Sequence, residues 1–325
     1  MMNRRTFLCG LTLGTICPSL AADAQPVGKV PTIGVIYPTS TETAGHLFSA
    51  FEQGLAEQGY VPNKNVRIES RYTGGRADQL FDLATELVSS VDVLVVWSSA
   101  GAQAVQKATK TIPVVFLSVT APEKIGLVQS IARPGGNITG VAFTSTETTY
   151  SKSIEILKEA VPTAARVAVL IGQANPVTMN ATRAAAEALK ITVEAHTAKE
   201  PEELGAALAA IGRSKVDGLF VPPSGLTFEY RKKIVEFAAS RRLPAIYPFR
   251  EAVEDGGLLS FGANLAQMAR QGAVFVARIL KGAKPADLPV EQPTKYDIFI
   301  NLKTAKALGL TVPPSLLLRA DQVIE

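Results

Sequence analysis

The chain has 325 residues and a formal charge of +4, from 33 Lys and Arg against 29 Asp and Glu, and is 47% hydrophobic but only 6% aromatic. The basic excess is spread along the chain without a basic block, which leaves nucleic-acid binding without an electrostatic footprint. The two histidines are far apart and the two cysteines are Cys9 and Cys17, so thiolate metal sites and thiol or histidine catalysis have little to build on.

Residues 1–24 have the parts of a cleaved export signal: Arg4-Arg5, an apolar stretch from Phe7 to Leu20, and Ala22-Asp23-Ala24 before Gln25. The apolar stretch contains Gly10, Gly14 and Pro18 and is too short for a membrane anchor. Asn3-Arg4-Arg5-Thr6-Phe7-Leu8 resembles the twin-arginine signal, although an ordinary secretory leader with two arginines reads the same way. Neither Leu8 nor Ile16 is the small residue that a lipid-anchored leader places before its cysteine, so no lipid anchor is expected. Without the leader the balance is 31 basic against 28 acidic residues, or +3, and no cysteine remains. The remaining length of about 300 residues suffices for two ordinary compact domains.

From residue 31 short β-rich runs alternate with helical stretches. TIGVIY (32–37), VRIESRY (66–72), DVLVVW (92–97) and PVVFLSV (113–119) read as strands; 43–58, 76–90 and 100–110 read as helices. DVLVVW and PVVFLSV do not alternate polar and apolar residues, as expected of parallel strands covered on both faces. After the turn-rich ARPGGN (132–137) a second set follows. Its strands are ARVAVLI (165–171), ITVEAHT (191–197), DGLFVP (217–222) and PAIYPF (244–249), with helices at 148–160, 176–189, 201–213 and 226–241. The cations of KKIVEFAASRRL lie on the polar side of an amphipathic helix and read as a solvated face.

GLLSFG (257–262) reads as a strand with no helix before it, followed by a helix over 264–281. Prolines at 285, 289 and 293 then make an extended crossing up to Tyr296, ahead of a last strand and short helix. With passages near 138–143 and 257–262, this predicts three connections between two similar doubly wound α/β lobes. One lobe takes 31–141 with about 262–289, the other 142–261 with about 290–325. Several crossings make a hinge and a cleft.

In such sheets ligands bind beyond the carboxyl ends of the strands. After the first strand, Tyr37, Thr39 and Ser40 either donate to a ligand or cap the next helix. Ser98 and Ser99 open a helix whose free N–H groups and dipole favour an anion, and Trp97 before them either faces the cleft or fills the core. Ser118 and Thr120 are further polar candidates, with a local turn hydrogen bond as the other reading for Ser118. The second half offers Gln173, Ser224, Tyr247 and Arg250; Arg250 either clamps a carboxylate or pairs with Glu251 or Glu254 on its own segment. His46 and His196 have no Ser/Asp spacing around them, and Gly74-Gly75 and Gly135-Gly136 lie in no nucleotide-binding frame. No catalytic residue, metal or cofactor is expected.

YPFREAVEDGGLLSFG (247–262) and ILKGAKPADLPVEQPTKYDIFINLKTAKALGLTVPPSLLLRADQVIE (279–325) closely resemble a bacterial family of ABC-transporter substrate-binding proteins that includes tryptophan-binding importers. RYTGGRADQL (71–80) and GLVQSIARPGGNITG (126–140) match the same family, so the likeness spans the whole mature chain. It implies the type I periplasmic binding protein fold and a monomeric periplasmic receptor that delivers a small ligand to an ABC permease and its ATPase. A ligand-sensing module for a membrane sensor or chemoreceptor would need the same fold and hinge. One departure bears on the ligand: after PVVFLSVT the family commonly has Asp-Pro-Val-Gly, and this chain has Ala121-Pro122-Glu123-Lys124. If that Asp holds a ligand ammonium in relatives, its absence argues against an amino-acid ligand unless Glu123 stands in. A small carboxylate, aromatic or amino-acid-like, is the ligand expected.

Overall fold

Short Val- and Ile-rich runs bounded by Pro, Gly and Asp make the strands, because β-branched side chains suit a pleated surface that is covered on both sides. A computed structural model describes residues 30–144, 148–172 and 176–325, with the backbone alone described at Thr148. The first half runs β1 (Thr32–Tyr37), α1 (Thr41–Glu57), β2 (Arg67–Tyr72), α2 (Leu80–Val88), β3 (Val93–Trp97), α3 (Ser98–Ala108), β4 (Val114–Thr120) and β5 (Ile138–Thr144). Its sheet has the order β2-β1-β3-β4-β5, with every neighbouring pair parallel. β1, β3 and β5 are buried throughout.

The second half runs α4 (Thr148–Ala160), β6 (Arg166–Ile171), α5 (Pro176–Ala188), β7 (Thr192–Thr197), α6 (Pro201–Arg213), β8 (Gly218–Phe220), α7 (Gly225–Glu229), α8 (Arg231–Ser240), β9 (Ala245–Tyr247), α9 (Arg250–Glu254) and β10 (Leu259–Gly262). Then come α10 (Leu265–Leu280), a 3-10 turn (Pro285–Asp287), β11 (Asp297–Asn301), α11 (Leu302–Leu308), α12 (Pro314–Leu317) and β12 (Gln322–Ile324). The second sheet has the order β12-β11-β10-β9-β8-β6-β7. It is mixed rather than wholly parallel, because β11 lies antiparallel to β10. β11 is reached by a crossing from the first sheet rather than by a helical return, so nothing obliges it to run the same way.

The chain leaves the first sheet after β5 and returns to it after β10. There α10 packs on α1 and the first sheet, placing Met268, Ala273, Phe275 and Val276 in its core. Residues 285–291 stay with that sheet: Thr139 donates to the Leu288 carbonyl, Val290 packs in its second core, and the Glu291 N–H bonds the Gly140 carbonyl. Crossing back to β11 follows. The residues 138–143, expected as a crossing, instead form edge strand β5, and the first sheet extends to Thr144.

Three further differences have local causes. The helix expected over 76–90 starts only at Leu80, because Gly74 and Gly75 are left-handed (φ 58° and 92°) and the Ala77 and Asp78 N–H groups bond Glu200 rather than a helical turn. The helix expected over 226–241 is broken at Tyr230, which leaves the helical region (φ −96°, ψ 21°). A helix does precede β10: α9 is a single five-residue turn, too short to show a period.

Candidate functional site

The carboxyl ends of strands from both sheets open on one cavity of about 190 Å³. From the first sheet it is lined by Tyr37 and Thr39 after β1, Gly75 and Arg76 after β2, Trp97, Ser98, Ser99 and Gln103 at the β3–α3 step, and Ser118 and Thr120 at the end of β4. Gly172 after β6, Lys199 after β7, Pro222 to Leu226 after β8, Phe228 and Phe249 line it from the second. The rest of the wall is largely apolar, including Leu47, Leu80, Ile125 and Ile171.

The polar wall is built by an unusual backbone. Ser98 (φ 72°), Ser118 (φ 59°) and Ala121 (φ 46°) are left-handed without being glycine. Asn63, Lys190 and Arg242 share that conformation, but in a turn or just beyond a helix end, where it is ordinary. At strand ends each such residue costs about 1–3 kcal/mol, and strain of this kind gathers at ligand sites. Here it falls on Ser98, the first residue of α3, and on Ser118 near the end of β4, where the register shifts, and both line the cavity.

Hydrogen bonds fix what these hydroxyls present. The Gly101 N–H donates to Ser98 Oγ at 3.2 Å, and the Thr120 N–H donates to Ser99 Oγ at 3.0 Å. Each oxygen already accepts one bond, and each retains its proton to donate. Thr120 Oγ1 pairs with Tyr150 OH at 2.7 Å, and burial pushes the Tyr150 phenol up to about 12. Ser118 and Thr39 hydroxyls bond no other described residue. Beneath them Tyr37 stacks between Tyr72 (5.3 Å, 8°) and Trp97 (6.1 Å, 23°). Burial, then the neighbouring Tyr72, raises the Tyr37 phenol far above its usual range, so it stays protonated. The Trp97 indole lies close enough to act on that phenol, yet neither Tyr37 OH nor Trp97 Nε1 makes a hydrogen bond of usable geometry.

Contacts between elements of the two sheets surround the cavity. The Ser40 N–H donates to Glu229 at 2.8 Å, His46 Nε2 meets Glu251 at 3.2 Å, and the Ala77 and Asp78 N–H groups both donate to Glu200 at 3.2 Å. Arg76 pairs with Glu202. Burial, then the adjacent Asp78 carboxylate, pushes the Glu200 carboxyl up. Phe228 and Phe249 from the second half enter the first sheet's core, where Phe249 meets Phe143 edge-on at 5.6 Å. A Cβ on Gly225 would lie 2.5 Å from Pro38 Cβ, so that glycine lets the two halves touch.

Of the residues singled out from sequence, Tyr37, Thr39, Trp97, Ser98, Ser99, Ser118, Thr120 and Ser224 line the cavity. Three do not. Ser40 is the N-cap of α1, its Oγ accepting from the Thr43 N–H. Tyr247 is buried in the second half's core, and its hydroxyl has no partner among the described residues. Arg250 turns to Glu254 one helical turn on, at 3.7 Å. Gln173 lies outside the described residues. Ser224 lines the cavity but is spent on a capping box with Thr227. Arg76, Gln103, Lys199, Leu226 and Phe228 line the cavity without having been expected there; the strand-end rule applied after β2 would have found Arg76. Among the described residues there is no group of three potential metal ligands and no helix long and apolar enough to cross a membrane.

A family model for ABC transporter substrate binding proteins matches residues 32–324. A tyrosine-binding protein of Clostridioides difficile (strain R20291) is 26% identical over 264 residues, 80% of this chain and 75% of the relative. An ABC domain from Streptococcus pneumoniae, solved in complex with L-Trp, superimposes with a TM-score of 0.82 at 28% identity, over 91% of this chain and 100% of that one. A leucine-binding protein of Thermotoga maritima, at 14% identity, TM-score 0.59 and coverage of 86% and 87%, shares the fold alone, that of type I periplasmic binding proteins.

Proposed function

We propose that this chain, which belongs to the ABC transporter substrate-binding protein family, is an exported periplasmic receptor that captures a small carboxylate and delivers it to an ABC permease and its ATPase. Its family binds ligands and does not transform them. The observation that carries the carboxylate is the cluster of donors at the α3 N-terminus: protons of Ser98 and Ser99 and the first N–H groups of the helix, beside the Ser118 hydroxyl, which bonds no other described residue. Such a cluster matches an anion with two acceptor oxygens. Trp97, Phe228 and Phe249 supply an apolar aromatic surface for the remainder of the ligand. The tyrosine-binding relative and the L-Trp-bound neighbour support an aromatic carboxylate.

We read two lobes, residues 31–144 with 263–291 and residues 148–262 with 296–325, a division supported by the two separate sheets. Their few connecting segments form a hinge, and the contacts from Glu200, Glu229 and Glu251 hold the closed form. Export rests on Arg4-Arg5 and the Ala22-Asp23-Ala24 step, with Gln25 as the mature N-terminus. A thermal-shift screen of carboxylates with the mature protein tests the reading, since a ligand that binds only the folded state raises its melting temperature. A hit should also compact the molecule in small-angle scattering without changing its circular dichroism. If no small carboxylate shifts the melting temperature, the reading is wrong.

A further inference from the structure

We propose that the cavity selects carboxylates that carry no ammonium group, and so discriminates against amino acids. The inference rests on the reading of the cavity as a carboxylate site and narrows its ligand class. Two cations, Arg76 and Lys199, line the cavity, and among its described lining residues there is neither Asp nor Glu. Four acids on contacts around the cavity already have partners. Glu200 accepts the Ala77 and Asp78 N–H groups, Glu202 pairs with Arg76, Glu229 accepts the Ser40 N–H, and Glu251 meets His46.

The hydroxyls also fit a carboxylate. Ser98 and Ser99 each accept one backbone N–H, and each keeps a proton that a carboxylate oxygen can take. The balance of charge separates the two ligand classes. A carboxylate supplies acceptors only and would meet Lys199 and Arg76, whereas an ammonium is donor-only and would meet those cations and, among the described lining residues, no carboxylate. The apolar walls and a volume somewhat above the roughly 150 Å³ at which a dry apolar cavity takes benzene suit one ring system on a short acid chain.

The test uses matched compounds on the full mature protein by isothermal titration: indole-3-propionate, L-tryptophan and indole-3-propionamide, then 3-phenylpropionate, L-phenylalanine and 3-phenylpropionamide. Leaving a buried charge unpaired is costly enough that at least one acid should bind at least about 100-fold more tightly than its amino acid. An amino acid that binds within tenfold of its acid, or more tightly, overturns the proposal, as does failure of both acids to bind at millimolar concentration. The amides separate the two readings. Acid and amino acid binding alike with the amide excluded removes the selectivity and leaves the carboxylate dock standing. An amide that binds as well as its acid removes the dock itself.

Discussion

The two walls of the cavity are made of different things. On the first-sheet side, hydroxyls at the ends of β3 and β4 sit on strained backbone and keep protons to donate. On the second-sheet side, Ser224 is closed into a capping box, and Pro222, Leu226, Phe228 and Phe249 make an apolar surface. In the function proposed, the difference separates recognition from closure: one wall would bond the anion, and the other, whose aromatic rings sit in the first sheet's core, would cover it. Strain pays off only where it aims a donor, which is why the covering wall has none among its lining residues.

Variants on either side should break this division in different ways. On the covering wall, Gly225→Ala forces a Cβ against Pro38. Overpacking of about 1–3 kcal/mol should depopulate the closed form and weaken binding by up to roughly 100-fold. Scattering should show a more expanded ligand-soaked protein; unchanged compaction would mean the halves do not need this contact. On the recognising wall, replacing Ser98 and Ser99 together by Ala should weaken carboxylate binding about tenfold to a hundredfold, from the 1.5–3 kcal/mol of a hydrogen bond to a charged group. Because those oxygens also accept from Gly101 and Thr120, the melting temperature should fall as well, and titration below the new transition isolates the binding loss.

Ser224→Ala should do the reverse. Loss of the cap costs about 1 kcal/mol of stability, measurable by urea unfolding, and leaves affinity within about twofold. A tenfold loss of affinity would put Ser224 on the recognising side. The smallest effect belongs to Tyr247→Phe, which removes a buried hydroxyl with no partner among the described residues. Stability should hold or rise slightly, since an unpaired buried hydroxyl contributes nothing to offset its desolvation, and titration should give the parent affinity.

The same contrast explains what the sequence could tell. Strands such as VLVVW (93–97) and VVFLSVT (114–120) were legible because unbroken β-branched runs between turn residues have few other uses. The hydroxyls of the recognising wall were legible too, because a rule ties ligand sites to the strand ends on which they sit. That rule fixes the end of a strand and not the direction of each side chain. Tyr247 lies at a strand end yet points into the core, and Arg250 has an acid one helical turn away. The covering wall left no local mark: Leu226 and Phe228 read as the apolar face of an ordinary helix, and Lys199 as a loop cation. They reach the cavity only when two distant parts of the chain close on each other.

A crystal structure of the protein with the carboxylate that most raises its melting temperature would decide where the anion docks. One carboxylate oxygen should lie within about 3.2 Å of the Ser98 or Ser99 hydroxyl or a backbone N–H of the first turn of α3, with the apolar body against Trp97 and Phe228. A ligand lying with its carboxylate toward Leu226 and Phe228, or bound outside this cavity, would contradict that placement.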